Sequence, residues 1–417
     1  MDGSLRSTRL VPLFCLVCLM SACDGAPPSG TAAGDGDGET SELVLVTEAR
    51  EAGLLKYLEA GAAPSIESSE DGTTVYAFGP DDGPLCMRGG TFRFSFRDTG
   101  SDKLLIFLQG GGTCWSDFCL AVTAAPAGIP LVDALDPDEP SNPLADWSVL
   151  YLPYCDGSFF AGDRDFDEDG DGVGDRLHRG LQNLSGALRT IRDVFPSPSR
   201  VLLTGSSAGG YGTIPASVLV RATYPEVRLQ VFNDSGVGLG LPGEPAFIEK
   251  ILDEQGITPL VPTTCEACWE DGHNTRLVHW ILARDPELEI ALFSSLRDSI
   301  IAGVFLDIDE VRFEEALLAE TGALHSRFPG RYRRFLVQGY EHTSLLGDPT
   351  GIVGEDFSAL EFSAEAVAAL SKLSLGGLDT THIDGFTVGE WLRAFVDDGE
   401  AWTDRVAPEP QERRASR

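Results

Sequence analysis

A short stretch from Val201 to Gly212, VLLTGSSAGGYG, constrains the fold more than any other part of the sequence. An apolar, β-prone run ends in Gly205-Ser206-Ser207-Ala208-Gly209, and small residues able to start a helix follow. A sharp strand-to-helix turn of this kind lifts its central serine above the end of a sheet, and the flanking glycines avoid clashes with the turning backbone. The alternative is a Gly/Ser loop that only links two elements. If the turn forms, Ser207 is a candidate nucleophile.

Apolar runs with β propensity recur along the chain, with helical patterns between them. The β-prone runs are Leu104–Leu108, Ser148–Leu152, Val201–Thr204, Leu229–Phe232 and Arg334–Val337, and the helical patterns are Gln182–Val194, Glu314–Leu318 and Ala364–Leu373. Several runs are almost continuously apolar, as is typical of buried parallel strands. This alternation predicts an α/β protein with a doubly wound, mostly parallel sheet and helices on both faces. Two earlier segments, Thr74–Phe78 and Phe92–Arg97, are expected to extend the sheet as antiparallel strands.

The N-terminus has the pattern of an export signal. Arg6 and Arg9 precede an apolar run from Leu10 to Met20 that is too short to span a bilayer permanently. The following Ser21-Ala22-Cys23 is similar to the bacterial lipobox, whose cysteine is lipidated, although Met20 stands where leucine is usual. Ordinary signal cleavage nearby is the alternative. We predict a signal peptide over residues 1–22, a flexible linker over 23–43, one α/β domain over 44–406 and a polar tail over 407–417. The protein is then expected in the bacterial cell envelope, anchored through Cys23, or secreted.

The cysteines of the predicted domain indicate disulfides. Of the nine cysteines, two lie in the signal and one is Cys23, which leaves six. An even number in an exported domain favours disulfides, but six cysteines allow fifteen pairings and the sequence alone fixes none. Proximity favours Cys114–Cys119 and Cys265–Cys268, leaving Cys86–Cys155. A zinc site formed by Cys265 and Cys268 with His273 or His279 is an alternative, which an oxidising compartment disfavours.

A serine nucleophile needs N–H groups that stabilise the oxyanion of the tetrahedral intermediate. The segment Gln109-Gly110-Gly111-Gly112 comes directly after the strand that ends at Leu108, and glycines let backbone N–H groups point into a site. The N–H of Ala208, the residue after the nucleophile, is the expected second donor. A flexible glycine loop without this role is the alternative.

The nucleophile also needs a base and an acid that orients the base. His342 follows a late strand and the turn Gly339-Tyr340-Glu341, where the histidine of such a triad is expected. Asp298 follows a short apolar stretch, Ile290–Phe293, and lies between Ser207 and His342. This chain order, Ser, Asp, His, is that of α/β-hydrolases. Many other acidic residues fall in the same interval, so a solvated surface carboxylate is the alternative for Asp298.

Several colinear motifs over roughly residues 75–400 resemble the pectin acetylesterase/Notum family of serine carboxylesterases, here in a bacterial, lipoprotein-like form. They are Gly110–Trp115, Asn142-Pro143 with Asp146-Trp147, Tyr151–Gly157 with Gly162-Asp163, His178-Arg179-Gly180, Gly205–Gly210, Asp234-Ser235-Gly236, Ser294-Ser295 with Asp298, and Gly339 with His342-Thr343. The resemblance implies an α/β-hydrolase-like fold and a triad of Ser207, Asp298 and His342. It also implies an oxyanion hole near Gly111, Gly112 and Ala208, and places Trp115 beside the acyl pocket. Ser206 departs from the commoner cysteine at its position.

An acidic segment, Asp163–Asp175, reads DRDFDEDGDGVGD and resembles calcium loops of the thrombospondin type 3 and EF-hand-like kinds. Closely spaced carboxylates separated by glycines can converge on one hard cation. Arg176 stands at the twelfth position from Asp165, where an EF-hand has glutamate, so a full EF-hand is not expected. We predict a structural Ca²⁺ held by a set of aspartates, namely Asp165, Asp167, Asp169, Asp171 and Asp175. A solvated acidic loop is the alternative.

The formal net charge of −34 restricts the partners. Such a surface repels nucleic acid and anionic membranes, so no nucleic-acid partner is expected and membrane contact is expected only through the lipid anchor. It also argues against polygalacturonate as a substrate. The sequence predicts a monomeric carboxylesterase, without a cofactor for catalysis, that removes an acetyl group from a neutral glycan or small ester. The alternatives are an acyl-lipid or acyl-protein ester as substrate, and a calcium-binding surface lipoprotein without catalysis.

Overall fold

A ten-stranded sheet forms the centre of the protein in this computed structural model, which describes residues 43–347 and 373–408. In spatial order its strands are β1 (Ser65–Glu70), β2 (Thr73–Ala77), β3 (Arg93–Arg97), β7 (Ser148–Leu152), β4 (Lys103–Leu108), β10 (Arg200–Ser206), β11 (Arg228–Asp234), β12 (Glu289–Ser295), β13 (Tyr332–Val337) and β16 (Arg405–Val406). Three hairpins lie outside it, formed by β5 (Gly112–Trp115) with β6 (Phe118–Ala121), β8 (Arg164–Phe166) with β9 (Arg176–His178), and β14 (His382–Ile383) with β15 (Phe386–Thr387).

The sheet is parallel from β7 to β16 and antiparallel from β1 to β7. Each predicted β-prone run forms a strand of the parallel part, and the two earlier segments form the antiparallel strands β2 and β3. The predicted mostly parallel α/β sheet is therefore confirmed. Because the carboxyl ends of parallel strands meet at one edge of a sheet, the segments that follow β4, β10, β11, β12 and β13 lie at a common edge.

Eight α-helices occur in the described ranges. They are α1 (Val44–Glu51), α2 (Lys56–Glu59), α3 (Gly180–Val194), α4 (Ala208–Thr223), α5 (Pro245–Glu254), α6 (Thr275–Arg284), α7 (Glu310–Arg327) and α8 (Val388–Val396). A short π-helical turn covers Ile301–Phe305. The helical patterns predicted at 182–194 and 314–318 lie within α3 and α7, whereas the one at 364–373 falls almost entirely outside the described residues.

Two hydrophobic cores lie on opposite faces of the sheet, because successive side chains of a strand point to opposite sides. On β10, Leu203 belongs to the core beneath α1, α3, α4, α6 and α7, and its neighbour Leu202 belongs to the core beneath α8. Trp391 of α8 is fully buried in this second core. Thr387 and Glu390 start α8 with a capping box, in which each side chain bonds the other residue's backbone N–H. The predicted helices on both faces are confirmed.

Three disulfides join the six cysteines of the domain: Cys86–Cys155, Cys114–Cys119 and Cys265–Cys268. These are the pairings that proximity favours. The alternative zinc site is not formed, because Cys265 and Cys268 are joined in a disulfide and offer no thiolate ligands. His273 accepts a hydrogen bond from the N–H of Gly240, and His279 packs on Phe328.

The N-terminal predictions fall outside the described residues. The signal peptide, Cys23 and all of the linker but its last residue precede residue 43, and most of the polar tail follows residue 408. Within 43–347 and 373–408, the structure contains no helix that combines the length and apolar character needed to cross a membrane.

Candidate active site

Ser207 lies in a strained turn between β10 and α4. Its backbone has φ 58° and ψ −119°, a conformation that a non-glycine residue adopts only when its surroundings enforce it. The Ser207 N–H donates a hydrogen bond to the carbonyl of Asp234 at 2.8 Å, across the β10–β11 pairing. A Cβ at Gly205 would lie 2.4 Å from the Gly209 carbonyl oxygen, and one at Gly209 would lie 2.0 Å from that of Leu108. Both flanking glycines are therefore required by close backbone packing.

Asp298 and His342 follow β12 and β13 and bind each other. Nδ1 of His342 lies 2.8 Å from Oδ2 of Asp298, and the two side chains are 2% and 0% exposed. The other oxygen of Asp298 accepts the N–H groups of Ile300 and Ile301 at 3.0 and 2.9 Å, at the start of the π-helical turn. Both oxygens of the carboxyl group thus have fixed partners. A carboxylate held in this way sets the orientation and tautomer of the imidazole.

The second ring nitrogen of His342 is available for proton transfer. Nε2 is buried and makes no hydrogen bond within the described part of the chain, so Ser207 is not bonded to it in this structure. With Nδ1 donating to Asp298, Nε2 has the lone pair that a general base needs. The structure therefore brings Asp298 and His342 into direct contact and places both at the sheet edge that carries Ser207.

Asp234 is a site residue to which the sequence analysis assigns no role. It ends β11, between the strands that carry Ser207 and Asp298, and is fully buried. Burial raises the pKa of its carboxyl group to about 6, against hydrogen bonds from Ser206 and Ser344 that lower it. Two features of the sequence indicated it. Asp234 belongs to the motif Asp234-Ser235-Gly236, and it directly follows a buried apolar run at the edge where the other candidate residues lie.

Two of the three predicted oxyanion residues line the same cavity as Ser207. Gly112 and Ala208 line the same cavity as Ser207, whereas Gly111 is not among the residues that line it. A Cβ at Gly110 would lie 3.0 Å from the Cβ of Ser207, so the glycine loop passes directly beside the turn. Ala208 is the first residue of α4, where unpaired N–H groups and the helix dipole favour negative charge.

A cavity with almost only apolar walls opens at Ser207. Its walls are Gly112, Thr113, Phe118, Leu120, Phe159, Ser207, Ala208, Tyr211, Ile300, Ile301, Val304 and Phe305. Phe305 contributes the central ring, which contacts Tyr211 and Phe159 at centroid distances of 5.7 and 6.3 Å. Trp115 stands behind this wall, with its ring 4.9 Å from that of Phe118 and 6.1 Å from that of Phe305. It supports the cavity rather than lining it.

The acidic loop brings three of its five predicted ligands together. Asp167, Asp169 and Asp175 can each offer one carboxylate oxygen, and these oxygens lie within 4.8 Å of one another. Asp165 instead forms a two-pronged ion pair with Arg179, at 2.7 and 2.9 Å. Asp171 is outside the group of three, and its Oδ1 accepts the N–H of Val173. Of the predicted set, Asp167, Asp169 and Asp175 therefore remain as candidate ligands.

Comparisons with known proteins give a consistent picture. The family model described as Pectinacetylesterase matches residues 68–265. Among solved structures, the Wnt deacylase Notum from Drosophila superposes with a TM-score of 0.54 at 16% sequence identity, covering 84% of this chain and 97% of Notum. At this identity the likeness shows the fold. No curated protein matches the chain in sequence.

Proposed function

We propose that this chain, whose residues 68–265 match the family model described as Pectinacetylesterase, is a serine carboxylesterase that uses Ser207, His342 and Asp298. The family and the fold support an enzyme that hydrolyses esters. The observation that carries the finer proposal is the buried His342–Asp298 pair at 2.8 Å, whose Nε2 is unbonded at the edge that carries the strained Ser207.

The proposed reaction has two halves. Oγ of Ser207 attacks the ester carbonyl carbon while Nε2 of His342 takes the hydroxyl proton, and Asp298 stabilises the resulting imidazolium. The tetrahedral oxyanion accepts hydrogen bonds from the backbone N–H of Ala208 and from that of Gly111 or Gly112 in the glycine loop. A single donor of this kind contributes about 10²- to 10³-fold to kcat. The intermediate collapses, and the leaving alcohol takes the proton from His342. Water then hydrolyses the acyl-enzyme by the same steps.

The family description supports acetate as the acyl group and a glycan ester as the substrate class. The charge of −34 argues against polygalacturonate itself, because like charges repel at the approach to the site. A neutral acetylated glycan or a small acetyl ester meets no such repulsion.

A specific observation favours a second candidate within the same chemistry. The cavity at Ser207 has almost only apolar walls, among them Ile301, Val304 and Phe305. An acyl chain longer than acetyl would bury apolar surface there, at about 0.8 kcal/mol per methylene. A lipid or protein deacylase is therefore the second candidate, and a panel of p-nitrophenyl esters from acetate to dodecanoate separates the two by kcat/KM.

The proposal is tested by Ser207→Ala with p-nitrophenyl acetate. We expect hydrolysis to be lost while thermal unfolding stays close to wild type. Ser217→Ala is the matched control, since its buried hydroxyl lies on the same helix and donates to the carbonyl of Ile214, at 2.7 Å. Turnover retained in Ser207→Ala would contradict the assignment and leave the non-catalytic alternative.

We also propose that the acidic loop binds a structural Ca²⁺ through Asp167, Asp169 and Asp175. Their three carboxylates supply hard oxygen ligands, and backbone carbonyls or water would complete the coordination that Ca²⁺ prefers. Chelator-treated protein should release or absorb heat on Ca²⁺ addition and gain thermal stability, and Asp167→Asn should remove both effects. The exposed Asp81→Asn is the control, and the absence of any Ca²⁺ response in the wild type would refute the site.

Export and lipidation at Cys23 remain part of the proposal. The three disulfides are suited to an oxidising compartment. Mass spectrometry of the mature protein should find an acylated Cys23 as the first residue. An unmodified N-terminus at another residue would favour ordinary signal cleavage.

A further inference from the structure

The buried carboxyl group of Asp234 has no role in the proposed reaction, yet it lies at the centre of the site. Asp234 is paired with Ser206 in the β10–β11 ladder, and its carbonyl holds the N–H of Ser207. No arginine or lysine of the described residues forms an ion pair with it. A buried carboxyl group without a cationic partner costs free energy, so stability alone does not account for an aspartate here.

The two oxygens of Asp234 bind the segments that carry the nucleophile and the base. Oδ2 accepts the hydroxyl of Ser206 at 2.6 Å, directly before Ser207, and the N–H of Leu345 at 3.3 Å. Oδ1 accepts both the N–H and the hydroxyl of Ser344, at 2.8 and 3.0 Å. One carboxyl group thus joins the serine turn to the loop that follows His342.

Each of these two segments contains a residue with a strained backbone. Ser207 has φ 58°, and Thr343, next to His342, has φ 66°, which are strained values for residues other than glycine. The described part of the loop after β13 contains neither helix nor strand, and its backbone bonds at this point are those of the His342 N–H to the carbonyl of Ser374 and of the Gly376 N–H to the carbonyl of Thr343. The neighbouring hydroxyl of Ser235 adds one more bond to this loop, from the N–H of Thr343 at 3.1 Å.

We propose that Asp234 is a positioning residue that sets the separation of Ser207 and His342 by holding the serine turn and the histidine loop in one hydrogen-bonded unit. This inference rests on the proposed esterase function. Proton transfer from Ser207 to His342 requires the two groups to meet at hydrogen-bond distance, and a misplacement of about 1 Å costs about 10²-fold in rate.

Asp234→Asn tests the proposal. The amide keeps the shape of the side chain, but in either orientation its NH₂ group faces a backbone N–H, that of Ser344 or that of Leu345, and cannot accept a hydrogen bond from it. We expect kcat with p-nitrophenyl acetate, per serine labelled to completion by a fluorophosphonate, to fall by about 10- to 100-fold with little change in KM. A purely structural role would reduce the amount of active protein and leave kcat per labelled serine unchanged.

Asp285→Asn is the matched control. Asp285 is also buried, 1% exposed, and bonds Arg221 at 2.7 Å, but it precedes β12 at the opposite edge of the sheet. This variant should lose thermal stability and keep its kcat per labelled serine.

If Asp234→Asn does not fold, Ser206→Ala and Ser344→Ala replace it, since each removes one hydroxyl bond to the carboxyl group. Each should lower kcat per labelled serine several-fold, and the double variant should lower it further. Full kcat per labelled serine in the folded variants would overturn this inference alone. Wild-type protein that neither hydrolyses the ester nor reacts with the fluorophosphonate would overturn the proposed function and this inference together.

Discussion

Asp298→Asn isolates the contribution of the acid, because the structure dictates how the new amide must point. The oxygen Oδ1 of Asp298 accepts the N–H groups of Ile300 and Ile301, so the amide oxygen of asparagine takes this position. Its NH₂ group then replaces Oδ2, 2.8 Å from Nδ1 of His342. The ring must accept at Nδ1 and carry its proton on Nε2, which removes the lone pair that deprotonates Ser207.

The expected loss follows from this change of tautomer. The same substitution in the triad of a serine protease lowers kcat by about 10⁴-fold, which corresponds to about 5.5 kcal/mol of activation free energy. We expect a loss of this order in kcat for p-nitrophenyl acetate near neutral pH, with KM within a few-fold of wild type.

The assay combines steady-state kinetics with thermal unfolding of the same preparations. Asp309→Asn is the control, since Asp309 caps α7 through the N–H groups of Val311 and Arg312 and asparagine caps equally well. It should keep both activity and stability. A folded Asp298→Asn that retains more than about a tenth of wild-type kcat would refute the reasoning.

Three further predictions concern the cavity, the disulfides and a buried histidine. Phe305→Ala opens the cavity wall and should raise kcat/KM for p-nitrophenyl octanoate relative to kcat/KM for p-nitrophenyl acetate. It should also lower the free energy of unfolding by about 3 kcal/mol. An unchanged ratio of the two kcat/KM values would show that the acyl chain binds elsewhere. Replacing both Cys86 and Cys155 with serine should lower the free energy of unfolding by about 4 kcal/mol, because the bridge closes a loop of 69 residues, and an unchanged denaturant midpoint would contradict this. Burial lowers the pKa of His178 from 6.5 to about 4. Between pH 6.5 and pH 4 the unfolded chain therefore binds a proton at this histidine that the folded protein does not bind. The free energy of unfolding is expected to fall by about 3 kcal/mol as the pH drops from 6.5 to 4. His178→Gln should be less sensitive to acid than wild type in urea titrations at pH 6.5 and 4, and equal losses would show that His178 does not carry the effect.

The parallel strands could be predicted because a strand that is buried on both faces has a nearly continuous apolar sequence. The run Val201–Thr204, for example, is apolar at all but its last position and forms the middle of β10. The strand ends could not be located in the same way. Arg200, Arg228 and Asp234 are polar, yet they pair in the ladder at the sheet edges, where charged side chains reach solvent or a partner.

Chain order and strand ends indicated Ser207 and His342, because parallel strands bring their carboxyl ends to one edge. The family resemblance was needed to choose Asp298 among the many acidic residues between them. The sequence does not show which side chains form pairs across the fold. Asp165 resembles its neighbours in the acidic loop, but its carboxylate belongs to an ion pair with Arg179. The place of Phe305 in the cavity wall depends on a π-helical turn that the local sequence does not predict.

The most direct measurement for the central claim is identification of the residue that a fluorophosphonate modifies in the wild-type protein. Peptide mass spectrometry should find one adduct, on Ser207, whose extent parallels the loss of p-nitrophenyl acetate hydrolysis. Asp298→Asn should react far more slowly at the same residue, because His342 no longer accepts the hydroxyl proton. An adduct on another serine, or full loss of activity without modification of Ser207, would contradict the account.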